Sequence, residues 1–301
     1  MDRRRWKKRD LVTVTASMAL VVATAFLLSP EAAPARAPDE VASSLVAELD
    51  RRIGAIARWE HEVRAATERA AEHPDVLRGL TDSAPAEALD RSLVRACVDL
   101  EGCALVDPNG ALLASLRARD VPSSLVERAL QGRTVRSRLT STDSFGRRTE
   151  RVGAPRPSVL FAAPVMVDRE VVAVLVGRAR PDRQLDPLLT TRPPGRTGET
   201  YVVDPEGFMI TRSRFGARAP RPTPLRKRAA PLVLDRPAVA LLTPHLEPTR
   251  AFAEARAGHD GVDVEGYLDY RGVPVVGAWR WLDDLGAGVI TEMDVVEAYR
   301  R

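Results

Sequence analysis

Histidine, cysteine and lysine are almost missing from this sequence, at four, two and three residues in 301. The histidines (His61, His73, His245, His259) have no ligand spacing and neither cysteine is placed to join them. A zinc site and a cysteine–histidine nucleophile pair are therefore not expected. No GxSxG elbow occurs. The stretch Gly195–Thr200 lacks GxxxxGK[ST] spacing and leads into a strand, where a phosphate loop would open a helix. With no catalytic constellation, no metal and no cofactor in sight, the chain reads as a binding protein and not an enzyme.

Excess charge is scarce as well. The net charge is +4, and residues 1–10, with six bases and two acids, account for all of it. Everything after them is neutral overall, and the proline-broken basic stretch 218–228 reads as a solvated loop. A nucleic-acid binder needs concentrated cationic surface on its folded part, so that class is excluded.

Residues 11–29 contain no charge. As a helix the segment would be ~28 Å long, about the thickness of a bilayer's hydrocarbon core. The bases before it place the N-terminus in the cytoplasm and send the remainder outward. The expected order is a basic tail (1–10), a transmembrane anchor (11–29) and a proline-rich spacer (30–38). A cleavable signal peptide is the rival reading, with Ala35-Arg36-Ala37 as its site; Pro38 after that bond, like Pro34 after Ala33, suits a signal peptidase poorly. In the oxidising compartment so implied, Cys97 and Cys103 could pair if Asp99–Gly102 turned back on itself.

From Val41 to Ala70, apolar residues recur at steps of three and four: Leu45, Leu49, Ile53, Ile56, Trp59, Val63. This predicts one long helix over 39–74, ended by Pro74, with Arg51, Arg52, Glu60 and Glu62 off the stripe. Such a helix serves as a spine for other elements or pairs with its copy in a homodimer. Beyond it, CALVDPNGALLASL (103–116) and TYVVDPEGFMITRS (200–213) repeat one pattern, strand, Val-Asp-Pro-x-Gly turn, strand. Each copy continues into a helix. The first covers Ser123–Gln131 and is closed by Gly132; the second starts with Thr243 as N-cap and Pro244 in its first turn and stops at Gly258. A hairpin follows each helix, 158–179 turning at Asp168-Arg169-Glu170 in the first copy and 264–281 in the second, with a last strand at 287–294. Strand–turn–strand, helix, strands is the order of a PAS-like module, an antiparallel sheet with flanking helices. The fold class is thus α+β with two tandem modules, 75–190 and 191–296, and a short tail (297–301). Tyr201, Tyr267, Trp279 and Trp281 fall on strands of the second module and read as core, with a second pocket as the alternative. Asp283-Asp284 reads as an exposed turn before Gly286.

Over residues 39–299 the chain resembles the double Cache family of extracytoplasmic sensors, most sharply in GRTGETYVVDPEGFMITRSRF (195–215) and GYLDYRGVPVVGAWRWLDDLGAGVITEMD (266–294). The resemblance implies a long helix beside two stacked modules and a small-molecule site in the membrane-distal one. Together with the anchor expected at 11–29, this makes the expected protein a single-pass one of a bacterial inner membrane that signals through a separate protein or by rearrangement of a dimer. Arg138, Arg148 and Phe161 fall where that distal pocket would be lined, an arginine fork and an aromatic wall suited to a carboxylate. Relatives usually continue into a second membrane helix and an output domain, whereas this sequence stops at EAYRR (297–301). The alternatives are accordingly a piece of a split or truncated receptor and an interaction protein that binds no ligand. The arginine–tryptophan constellation of amino-acid-binding members is missing between Thr134 and Val176.

Overall fold

A computed structural model describes residues 36–117, 121–140, 157–215 and 248–300. The basic tail, the expected anchor (11–29), most of the spacer, Arg148, Thr243, Pro244 and the stretch 218–228 lie outside the described residues. Among the described residues, no helix is long and apolar enough to cross a membrane.

Helix α1, Pro38–Ala71, opens with proline and carries Asp39 and Glu40 in its first turn, where the free N–H groups and the helix dipole favour acids. Its 34 residues span ~51 Å. Val41, Leu45, Leu49, Ile56, Trp59 and Val63 are buried in one continuous core with residues of both modules, so the apolar stripe is packed inside the chain. The helix stops before Pro74, which starts α2 (Pro74–Thr81); the His73 ring nitrogen Nδ1 accepts the Asp75 N–H at 3.2 Å as its cap. Helix α3, Ala86–Ala96, follows.

The first sheet contains β1 (Gly102–Val106), β2 (Leu112–Leu116), β3 (Val135–Arg136), β4 (Val159–Val167) and β5 (Glu170–Ala179), all antiparallel, in the order β2-β1-β5-β4-β3. Helix α4 (Ser123–Ala129) lies on one face, and α5 (Pro181–Thr190) leads to the second module. There β6 (Glu199–Val203), β7 (Gly261–Leu268), β8 (Pro274–Leu282) and β9 (Ala287–Asp294) pair antiparallel in the order β6-β9-β8-β7, with α6 (Arg250–Arg256) and α7 (Val295–Ala298) beside them. A disulfide joins Cys97, at the end of α3, to Cys103 in β1, with Cα atoms 6.6 Å apart.

The two strand orders are the same order, once β2 is removed from the first. Strand β6 then corresponds to β1, β9 to β5, β8 to β4 and β7 to β3. This corrects the expected matching of hairpins. The counterpart of 158–179 is β8–β9, not 264–281, because the strand equivalent to β7 is the two-residue β3, too short to leave an alternating pattern. The repeat of β2 is also reduced, to one bridge between Val203 and Met209. Thr211 takes over there with its side chain, its Oγ1 accepting the Val202 N–H at 3.0 Å. Helix α6 starts at Arg250 under the cap of Thr249, later than the Thr243 start expected, and the chain turns at Gly258 with φ +81°.

The repeated turn is one hydrogen-bonded device used three times. Asp107, Asp204 and Asp269 each accept two backbone N–H groups on one side-chain oxygen, two and four residues on. The glycine three residues on, Gly110, Gly207 or Gly272, takes φ between 78° and 85°, a conformation other residues resist. Two copies read Asp-Pro-x-Gly; the third, Asp-Tyr-Arg-Gly, keeps only the two residues that make the bonds.

Arg52 departs from its expected solvent position. Only 4% of it is accessible. It donates to Glu48 at 2.6 Å and to the carbonyls of Leu188, Thr191 and Arg192 at 2.5, 3.1 and 2.9 Å. Those carbonyls end α5 and lead to β6, so a buried guanidinium from the spine fastens the crossing between modules.

Candidate functional site

Each sheet turns one face to α1 and the other away from it. In the first module the outward side chains are Ala104, Val106, Leu160, Ala162, Val174 and Val176, packed under Leu125, Val126 and Ala129 of α4. That face is mostly apolar, but it also carries Ser115 opposite Ala104, Arg178 opposite Leu160 and, by alternation, Ser158.

The outward face of the second module is different. Alternation along β6 sends Val202 to the spine and Tyr201 and Val203 outward, and Glu199 shares their parity. Glu199 stands directly opposite Glu292 of β9 in the ladder. Two like charges in that position repel, and both residues are buried, at 5% and 1% accessibility. Neutral donors satisfy them. The Tyr201 and Tyr267 hydroxyls donate to the two oxygens of Glu292 at 2.7 and 2.8 Å. Glu199 accepts the Tyr270 hydroxyl at 2.6 Å, the Ser213 hydroxyl at 2.9 Å and the Arg214 N–H at 3.1 Å. Tyr267 reaches Glu292 because position 277 is glycine; a Cβ there would stand 2.2 Å from the Tyr267 hydroxyl.

Aromatic rings pack around the two acids. Tyr201 meets Tyr270 edge to face with centroids 5.8 Å apart, and Tyr267 meets Trp279 likewise at 5.9 Å. Phe252 of α6 belongs to the same cluster. At the margin, the Arg271 guanidinium lies 3.9 Å over the Phe215 ring and is paired with Asp269 and Asp294.

Burial pushes the Glu292 carboxyl up to about 8, against the pull of its two tyrosine bonds; the Asp269 and Glu199 charges add to the rise. Glu199 is raised too, again chiefly by burial. Burial and the charge of Glu292 lift the Tyr201 hydroxyl well above its usual range. At neutral pH the cluster therefore keeps a proton on Glu292, and one tyrosine bond then runs from carboxyl to hydroxyl. The Ser213 hydroxyl beside Glu199 is spent on that carboxyl and also contacts the Tyr270 hydroxyl. The chemistry on offer is recognition: a donor-rich polar group at the carboxyls, an apolar body against the rings.

The residues singled out from the sequence do not converge. Phe161 is wholly buried, in the core that faces α1 and away from α4. Arg138 is exposed, its stem lying across Gly286 of the second module, where a Cβ would meet it at 3.2 Å. Arg148 lies outside the described residues. Sequence reasoning reached Tyr201, Tyr267 and Trp279 but not Glu199 or Glu292. The available signal was a glutamate within each of two largely apolar strands, ETYVV and AGVITEMD. Among the described residues no group of histidines, cysteines and acids could hold a metal ion.

No family model matches the chain, and no curated protein does. Solved structures do. A domain of a sensory box/GGDEF family protein from Vibrio parahaemolyticus matches at 12% identity and TM-score 0.55, covering 87% of this chain and 98% of that one. The ligand-binding domain of the Campylobacter jejuni chemoreceptor Tlp3, solved with 4-methylisoleucine, matches at 10% identity and TM-score 0.54, covering 87% and 93%. The extracellular domain of the histidine kinase vpHK1S-Z8 gives 12% identity and 0.54, covering 87% and 94%. These neighbours are double Cache sensor domains, and this chain has their fold.

Proposed function

We propose that this protein is an extracytoplasmic sensor that binds a polar small molecule and does no chemistry on it. The observation that carries the reading is the Glu199–Glu292 cluster. A structural core gains little from two opposed carboxyl groups on one buried face, since burying polar and ionisable groups is costly. A recognition site gains specificity from them. The fold supports the reading, since it is shared with domains whose described role is ligand binding.

The expected anchor at 11–29 would hold the module against a membrane by one end. The Arg36 N–H bonds the Tyr299 carbonyl at 3.2 Å, so both ends of the described chain meet there. A signal would leave through that end, to a separate membrane protein or through a second copy of this chain. Since the apolar stripe of α1 is packed inside, a dimer through this helix would use its polar face.

A thermal-shift screen of the full-length chain against amino acids, amines, organic acids and purines tests the proposal. A ligand at a hundred times its Kd contributes about 2.7 kcal/mol, roughly 5–10 °C in melting temperature for a chain of this size. Glu292→Gln or Tyr267→Phe is expected to abolish the shift of a true ligand. A complete panel without a hit, or hits indifferent to both substitutions, would remove the site.

A further inference from the structure

Where the two modules meet, α1 forms one side of a cleft of about 480 Å³, within the range of small-molecule sites. Ile53, Ile56 and Ala57 of α1 form its apolar floor, and Trp281 and Leu285 of the second module its wall. Glu60 of α1 and Arg136 of β3 supply the polar groups, with Asp283 and Asp284 at the exposed edge. None of the residues that bind Glu199 or Glu292 lines this cleft.

The charges here are unequal. Arg136 is occupied by the protein itself, its Nη1 donating to the carbonyls of Asp284 and Ser137. Its Nη2 reaches Glu60 only at 3.5 Å. Glu60 accepts no hydrogen bond from any described residue, and burial pushes its carboxyl up despite the nearby Arg136 and Arg64. Three acids thus face the engaged Arg136, with Arg64 nearby and bonded to the Thr134 carbonyl, beside an indole ring with apolar surface next to it. A carboxylate ligand would meet repulsion. An ammonium ion would relieve Glu60, lie near the π face of Trp281 and rest its carbon chain on Ile53 and Ile56.

We propose that this cleft between the modules is a second binding site, for a small organic cation with a short apolar body. It goes beyond the outer-face site and differs from it in consequence. Its walls come from the spine, from β3 and from the β8–β9 turn, so an occupant would clamp the two modules to each other. The hydrogen bonds already there include the Arg136 bond to Asp284 and the Leu139 N–H to the Leu285 carbonyl at 2.7 Å.

The test is a calorimetric titration of the full-length chain with butylammonium, tetramethylammonium and butyrate, each up to about 50 mM, a range that detects weak sites. Binding of the two cations and not of butyrate is expected. Glu60→Gln should weaken butylammonium at least roughly tenfold while leaving the ligand-free melting temperature near that of the natural protein. Asp284→Asn at the open edge should weaken it by roughly two- to fivefold through screened attraction, a second variant that disturbs no buried contact. Cation affinity should also fall as the pH drops through the Glu60 titration, since a protonated carboxyl offers no charge. Binding of butyrate alone, or no cation binding at all, overturns the proposal. Cation binding that survives Glu60→Gln and disappears with Glu292→Gln also overturns it, and moves the cation to the outer face, leaving the sensor reading intact.

Discussion

Replacing Glu292 by glutamine should change how the protein's stability depends on pH. The carboxyl sits at about 8 in the folded state and near 4.5 when unfolded. Between those values the native state holds a proton that the unfolded chain has released, so stability falls as pH rises and levels off above the upper value. At about 1.36 kcal/mol per pH unit, the loss between pH 5 and pH 8 is on the order of 4 kcal/mol. Glutamine fills the same space, keeps a partner for both tyrosine hydroxyls and does not titrate. The absolute profile is not diagnostic, because Glu199 is raised with the same sign while Glu297, held down by Thr197 and two backbone N–H groups, acts oppositely. The difference between the two proteins is diagnostic. Urea unfolding at pH 5, 6, 7 and 8 should show Glu292→Gln gaining on the natural protein at each step. Parallel curves would refute the idea that Glu292 is a desolvated, proton-holding carboxyl.

Arg52→Met takes the guanidinium from three carbonyls and leaves the buried Glu48 with Arg51 as its remaining ion-pair partner, so it should cost about 2–4 kcal/mol, read as the urea midpoint. Gly277→Ala forces Tyr267 off Glu292 and should lower stability by about 1–3 kcal/mol, with a changed near-ultraviolet tyrosine signal; an unchanged signal would mean the tyrosine had another route to the carboxylate. Cys97→Ser opens a short loop, for which chain entropy alone predicts a loss of about 2 kcal/mol, and a reductant should reproduce that loss in the natural protein and not in the variant.

The fold was legible wherever a residue's backbone role forced its identity. Asp107 and Asp204 stand out because their side chains make the turn and the glycines three places on must take positive φ. The spine was legible because Leu45, Leu49, Ile56, Trp59 and Val63 must fall on one face to be buried. Arg52 was not, since a buried arginine is readable only once its partners are known, and those lie some 140 positions away at Leu188, Thr191 and Arg192. Strand β3 left no pattern in two residues, and that displaced the hairpin matching by one strand. Phe161 was misplaced for a related reason. Phe161 was assigned to a pocket from its place in the order of elements, yet which face a strand residue takes depends on register, and register put it against α1. Glu199 and Glu292 look like surface residues until the ladder sets them opposite each other.

Under the proposed sensor function, the spine is the element that would turn binding into a signal. Trp59 donates to Gln184 at 3.2 Å and Arg64 to the Thr134 carbonyl at 2.6 Å, which ties its C-terminal half to the first module and the crossing helix α5. Asp50 accepts Arg280 at 2.9 Å, tying its N-terminal half to the second. A helix is stiff along its axis, so a tilt of one module against the other cannot be absorbed locally without breaking one of these bonds. It must instead move the helix as a rod, and its N-terminal end lies beside Tyr299. The cleft, lined by the spine from Ile53 to Glu60, starts beyond Asp50 and reaches past Trp59. An occupant there would set the angle between the modules, while one at Glu292 would act within the second alone.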